Sequence, residues 1–313
     1  MLPLRNRQEL VPLSPATAMS TIPATDSAVV TRRTAPAPHI HETIREPVLL
    51  RQLLKDEIYM LGGHFAILCQ FAHPGIARGT WLHSRFASRI PERLRNTQRF
   101  LNAAVFGTPD EKRAIFSVIH RHHKNVKGDG YDANDPHAHK WTAATLFVAF
   151  VVVQRAFYGG FTQQQMGALY KETAVWGTSL QMPPDMWPAT LDDFWAYWDR
   201  EIETLEVTDM AKTLAHSLLY PANVPLWAKA GAFPVARVLT TYFLPTRLAA
   251  AYGLEQTTLN WLQYQAAVNI VKVVWPLVPG FVRGAGHEFC LKDMRDSAER
   301  IRRTGHWSYK SDI

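Results

Sequence analysis

The chain has 313 residues, 47% of them apolar, and a formal net charge of +7, the profile of an ordinary globular protein with room for one large domain and a sizeable core. Its only cysteines, Cys69 and Cys290, stand far apart, which excludes a disulfide framework and a cysteine-rich metal site and favours a reducing, cytoplasmic setting. Lysine and arginine are interspersed with acids, the longest basic cluster being "RDSAERIRRTGHW", so no nucleic-acid partner is expected.

Residues 1–45 are rich in Pro, Ala, Ser and Thr without a hydrophobic period, the composition of a disordered leader. They lack the apolar core of a signal peptide, and Glu9 and Asp26 argue against a transit peptide. A helical domain is expected over 46–313. Its first helix starts near Glu46 and runs through "LLRQLLKDEIYMLGGHFAILCQFAH", with Gly62-Gly63 as a break and Pro74-Gly75 as the stop. "PERLRNTQRFLNAAVFG" forms the next, with Pro91 in its first turn and Gly107 at its end.

Thr108-Pro109-Asp110-Glu111 is a capping box with proline at the first helical position, so a further helix starts there and runs toward Gly128. After a polar loop, "GDGYDANDPHAH", Trp141 opens a buried helix that ends at Gly159-Gly160. Its apolar run "AATLFVAFVVV" is far short of the roughly 20 residues that span a bilayer. "FTQQQMGALYKETAVWGTSL" continues as a helix, "MPPDMW" turns, and Thr190 caps the next helix, whose first turn carries acids. Amphipathic stretches follow to about residue 275. The apolar segment 266–282 is interrupted by Lys272, Pro276 and Pro279; it predicts a helix leading into a turn, and it is where peripheral membrane contact is expected. No segment alternates apolar and polar residues between Asn-Gly turns, so the fold class is all-α, a single large helical domain.

Five of the thirteen histidines fall in "VIHRHHKNVKGDGYDANDPHAHKW", residues 118–141. At about 100° per residue, Ile115, Ile119 and Val126 mark the apolar face of their helix, with His122 on one edge and His123 on the other. Both can face the interior, whereas His120 and Arg121 point to solvent. An inward histidine is either a hydrogen-bonded core residue or a ligand. Neither "HRHH" nor "HAH" has the H-E-x-x-H spacing of a helical zinc protease. A non-haem iron site would have to assemble His122 or His123 with Asp132, Asp135, His137 or His139. A haem needs one inward histidine in apolar helical surroundings, and cations for its propionates. Arg93 and Thr97, four apart on one helix face, are suited to a carboxylate such as a propionate; the plainer alternative is a surface arginine and a threonine bonded to its own backbone.

Taken in order, "QFAHPGIARGTWLHSRF", "RLRNT" followed by "AVFG", "HKNVKG", "GYDANDP" with "WTAATL", and "YGG" resemble the landmarks of one family over roughly residues 60–220. It is the oxygenase family of the bacterial latex-clearing (rubber oxygenase) proteins and the fungal oxygenase that cleaves a prenyl chain in mycophenolic acid biosynthesis. The resemblance implies a globin-like helical core around haem b, dioxygen as co-substrate, and oxidative cleavage of an isoprenoid double bond. It makes His123 the proximal iron ligand, through the H-x-x-V-x-G pattern, and places Arg93 and Thr97 beside the haem. Tyr131, Trp141 and Thr145 also match family positions, the first two as pocket residues. Latex-clearing proteins carry a lysine before that threonine, where this chain has Asn96, so a gating lysine is not carried over. Many bacterial members read W-V-H where this chain has Trp141-Thr142-Ala143; that histidine is absent, or its role passes to His137 or His139.

The function expected from these residues is a haem b oxygenase acting with dioxygen on a hydrophobic small molecule, with cytoplasmic or peripheral membrane placement. The alternatives are a haem-dependent dehydrogenase, peroxidase or hydroxylase of a secondary metabolite, and a non-catalytic haem or lipid carrier.

Overall fold

A computed structural model describes residues 46–306 apart from Arg85, Asn223 and Trp227, so the expected leader at 1–45 lies outside the described residues. Fourteen α-helices account for most of these residues. The expected first helix is split in three: α1 (Val48–Leu54), a 3-10 turn (Glu57–Gly62) and α2 (Gly63–Phe71). The N-terminus of α1 is held from outside, because the Glu172 carboxylate accepts the backbone N–H groups of Val48, Leu49 and Leu50 at 3.1, 3.2 and 2.6 Å. These are donors that a helix cannot satisfy internally.

Pro74 stops α2 and also starts α3 (Pro74–His83), a helix not legible in the sequence. Proline belongs in a first helical turn, and His73 caps it by accepting from the Ile76 N–H. The helix α4 (Ile90–Phe106) and the capping box opening α5 (Pro109–Lys124) stand as expected. The loop after α5 corrects the sequence reading twice. Lys127–Gly128 and Tyr131–Asp132 form a small antiparallel hairpin around Asp129-Gly130, with Gly130 at φ +74°. The buried helix α6 (Pro136–Tyr158) then starts five residues before Trp141, capped by Asp135, so His137 and His139 lie on its first turns.

Helix α7 (Gln163–Ser179) has its own capping box at Thr162, and α8 (Leu191–Thr204) is capped by Thr190. There follow α9 (Asp209–Leu219), α10 (Phe233–Phe243), α11 (Thr246–Ala251), α12 (Thr258–Val274), α13 (Gly280–Arg283) and α14 (Ala285–Thr304).

The core is built around α6, which packs between α2 and α7, while α14 closes against α4 and α5. Gly62 permits the close crossing at α6, since a Cβ there would stand 3.0 Å from the Ala149 carbonyl oxygen. Most aromatics fill this core: Trp141 stacks on Trp198 with centroids 5.0 Å apart, and Phe147 meets Phe194 edge-on at 4.9 Å. At 23 residues, α6 is long and apolar enough to cross a membrane by length and composition, but 61% of its most apolar stretch is buried inside the protein. It serves as the central helix of the core.

Candidate functional site

A cavity of about 500 Å³ is lined by α3, α4, the C-terminal turn of α5, the hairpin and the N-terminal half of α6. That volume lies within the range of small-molecule and cofactor sites. Arg93, Thr97, His122, His123, Tyr131 and His139 all reach it.

Of the three α5 histidines, His122 and His123 reach the cavity. The Nδ1 of His123 is buried without a hydrogen-bond partner. Burial, reinforced by the positive potential of His139, His120, His122 and Arg93, lowers the His123 pKa to about 4. The ring is therefore neutral at physiological pH, the form that binds a metal. His139 lies face to face with it, centroids 6.0 Å apart. The Ala133 carbonyl accepts a hydrogen bond from His139 Nε2 at 2.7 Å, which leaves the buried, unpartnered Nδ1 with the free lone pair. Of the two histidines placed in the loop by the sequence reading, the structure brings His139 to the cavity and leaves His137 exposed.

His120 corrects the helical wheel. It does not point to solvent: its Nε2 lies 3.2 Å from the Ser179 carbonyl oxygen at the end of α7, and burial lowers its pKa. Among the described residues no three His, Cys, Asp or Glu side chains converge in an arrangement that would hold a metal ion. The three-ligand iron site considered from sequence is thus not assembled.

Arg93 and Thr97 share a wall, as their spacing predicts. Thr97 Oγ1 donates to the Arg93 carbonyl at 2.9 Å. The Arg93 guanidinium lies 5.5 Å from the Phe86 ring centre and has no carboxylate partner among the described residues. Burial, then the charge of Arg89, lowers its pKa. A partly desolvated cation of this kind is matched to a carboxylate entering the cavity. Asn96, on the same wall, accepts from Arg99 Nη1 at 2.8 Å.

Tyr131 is held by a 2.8 Å hydrogen bond between its hydroxyl and His83 Nε2. Its ring lies so close to Gly128 that a Cβ there would stand 2.7 Å away. Trp141 is not a cavity residue. It is fully buried in the core, and its indole N–H donates to the Cys69 carbonyl at 2.8 Å. Thr145, without a role from sequence, accepts from Gln70 Nε2 at 3.0 Å and so fixes a side chain that lines the cavity. His73 also lines the cavity and was missed; the signal that marked it was its place before Pro74, as a helix cap.

Residues 51–273 match the family model described as "ER-bound oxygenase mpaB/B'/Rubber oxygenase, catalytic domain". Two mycobacterial relatives, the uncharacterized proteins Mb2261 of Mycobacterium bovis and Rv2237 of Mycobacterium tuberculosis, are each 26% identical over 246 residues, covering 76% of this chain and 96% of theirs. No solved structure matches the chain.

Proposed function

The chain belongs to the family of the ER-bound oxygenases mpaB/B' and the rubber oxygenases, and from that premise we propose that it is a haem b-dependent oxygenase acting on a hydrophobic small molecule. The observation that carries the proposal is the neutral imidazole of His123, with a buried, unpartnered nitrogen, on the wall of a cavity that also holds Arg93, which has no carboxylate partner among the described residues. A haem would need a single histidine from the protein, and this fits a site where no three metal-ligating side chains converge among the described residues. The bound group would supply dioxygen activation, with cleavage of an electron-rich carbon–carbon double bond as the proposed outcome.

The protein's own contribution is placement. His123, kept deprotonated by its surroundings, would hold the iron. Arg93 would neutralise a propionate, with Thr97, whose hydroxyl donates to the Arg93 carbonyl, beside it on the same wall. The apolar walls, Ile119 and Leu146 among them, exclude water and favour an alkene-bearing substrate over a polar one.

The test is the visible absorption spectrum of the protein purified from haem-supplied cells, before and after dithionite. A Soret band with reducible b-type features is expected, and a colourless protein that also refuses added haem would overturn the reading. Oxygenase chemistry is then tested by the appearance of label from ¹⁸O₂ in the product.

A further inference from the structure

Helix α12 and the turn after it present an apolar face that the described residues leave uncovered. Of the seventeen residues of α12, only Val268 is fully buried. Ile270 and Val273 are 62% and 67% exposed, and Leu277 and Phe281 beyond them are 77% and 82% exposed. Single exposed apolar side chains are ordinary, but a contiguous run of this kind marks an interaction surface. None of the cavity-lining residues lies beyond Leu180, so this face is separate from the site described above.

Charge selects the occupant. Between Asp209 and Glu288 the sequence holds one acid, Glu255, against Lys212, Lys229, Arg237, Arg247, Lys272 and Arg283. Lys272 is exposed on α12 itself, and α10, packed against α12, adds the exposed Val235. Of these cations Arg283 is paired with Asp56 at 3.5 Å and Lys212 with Asp209, which leaves the exposed Lys272 as the charge that α12 itself presents, and neither α12 nor α13 carries an acid with which a second copy could meet it. An anionic bilayer offers what the face lacks: acyl chains for the apolar residues and negative headgroups for the lysines and arginines.

We propose that the α12–α13 face is an interfacial membrane-docking surface for anionic lipid, with Leu277 and Phe281 inserting and the basic residues of this half of the chain providing electrostatic attraction. Docking of this type lies on the bilayer and needs no spanning helix.

The test uses the full chain in a flotation assay with vesicles of phosphatidylcholine alone and vesicles enriched in phosphatidylglycerol. The protein should float with the anionic vesicles and far less with the neutral ones. The double substitution Leu277→Ser and Phe281→Ser should lower the vesicle-bound fraction by about tenfold. Because both side chains are almost fully exposed, the circular dichroism spectrum and Tm should stay unchanged. Lys272→Glu should weaken binding to anionic vesicles only. Absence of flotation by the unsubstituted protein would overturn the proposal, as would undiminished flotation of the double variant. A dimer in sedimentation equilibrium that the same pair disperses, without vesicle binding, would assign the face to a second copy instead.

Discussion

His122 and His123 both reach the cavity, and substitution separates them. His123→Ala should abolish haem retention, read as loss of Soret absorbance per protein, while His122→Ala should keep most of it; the reverse result would move the ligand by one residue. Trp141→Phe probes the residue that the sequence placed in the pocket and the structure places in the core. Losing the bond to the Cys69 carbonyl and some packing should cost about 1–3 kcal/mol of stability in urea unfolding and leave haem content unchanged. His64, on α2 against Phe233, has its pKa lowered by burial to about 4. Between pH 6.5 and 4 the unfolded chain therefore binds a proton there that the folded chain does not, and stability falls as pH falls. His64→Phe should remove as much as roughly 3 kcal/mol of that acid-induced loss, measured by denaturation at pH 7 and pH 4.5.

Helix α1 depends on a carboxylate more than a hundred residues away in sequence. Glu172→Ala should fray it, with faster hydrogen exchange over Val48–Leu54 and a cost of about 1–2 kcal/mol, a few degrees in Tm. That dependence shows which elements were legible in the sequence. Helices whose starts are written locally, the Thr108 capping box and the Thr190 cap, were found because their donors are satisfied within four residues. The start of α3 was missed because Pro74-Gly75 fits the end of one helix as well as the start of the next, and the start of α6 because Asp135-Pro136 sat in a stretch read as loop. The Asp129-Gly130 hairpin went unseen because its strands are too short to alternate. The same division holds in the site. Arg93 and Thr97 share a face by spacing alone, but the partner of His120 comes from α7 and the partner of Trp141 from α2, and no helical wheel contains another helix.

At the scale of the molecule, Asp293 ties α14 to the wall of the cavity. Its carboxylate pairs with Arg99 at 2.7 Å and with Arg95. Burial alone would raise its pKa, and the two arginine hydrogen bonds hold it below the usual value. Asp293→Ala leaves Arg99 buried without that partner and should cost about 3–5 kcal/mol, seen as a lower urea midpoint with little change in slope. Asp110→Asn, which breaks the exposed pair with Arg113, should leave the midpoint almost unmoved. The tie also sets a clock. Asp293 follows Arg99 by 194 positions, and at roughly 5–20 residues per second the ribosome takes about 10–40 s to cross that interval. During each synthesis every residue lining the cavity, the last of them Leu180, thus emerges before α14, so the helices bearing Arg93 and His123 receive their outer brace only when the second half of the chain has been translated.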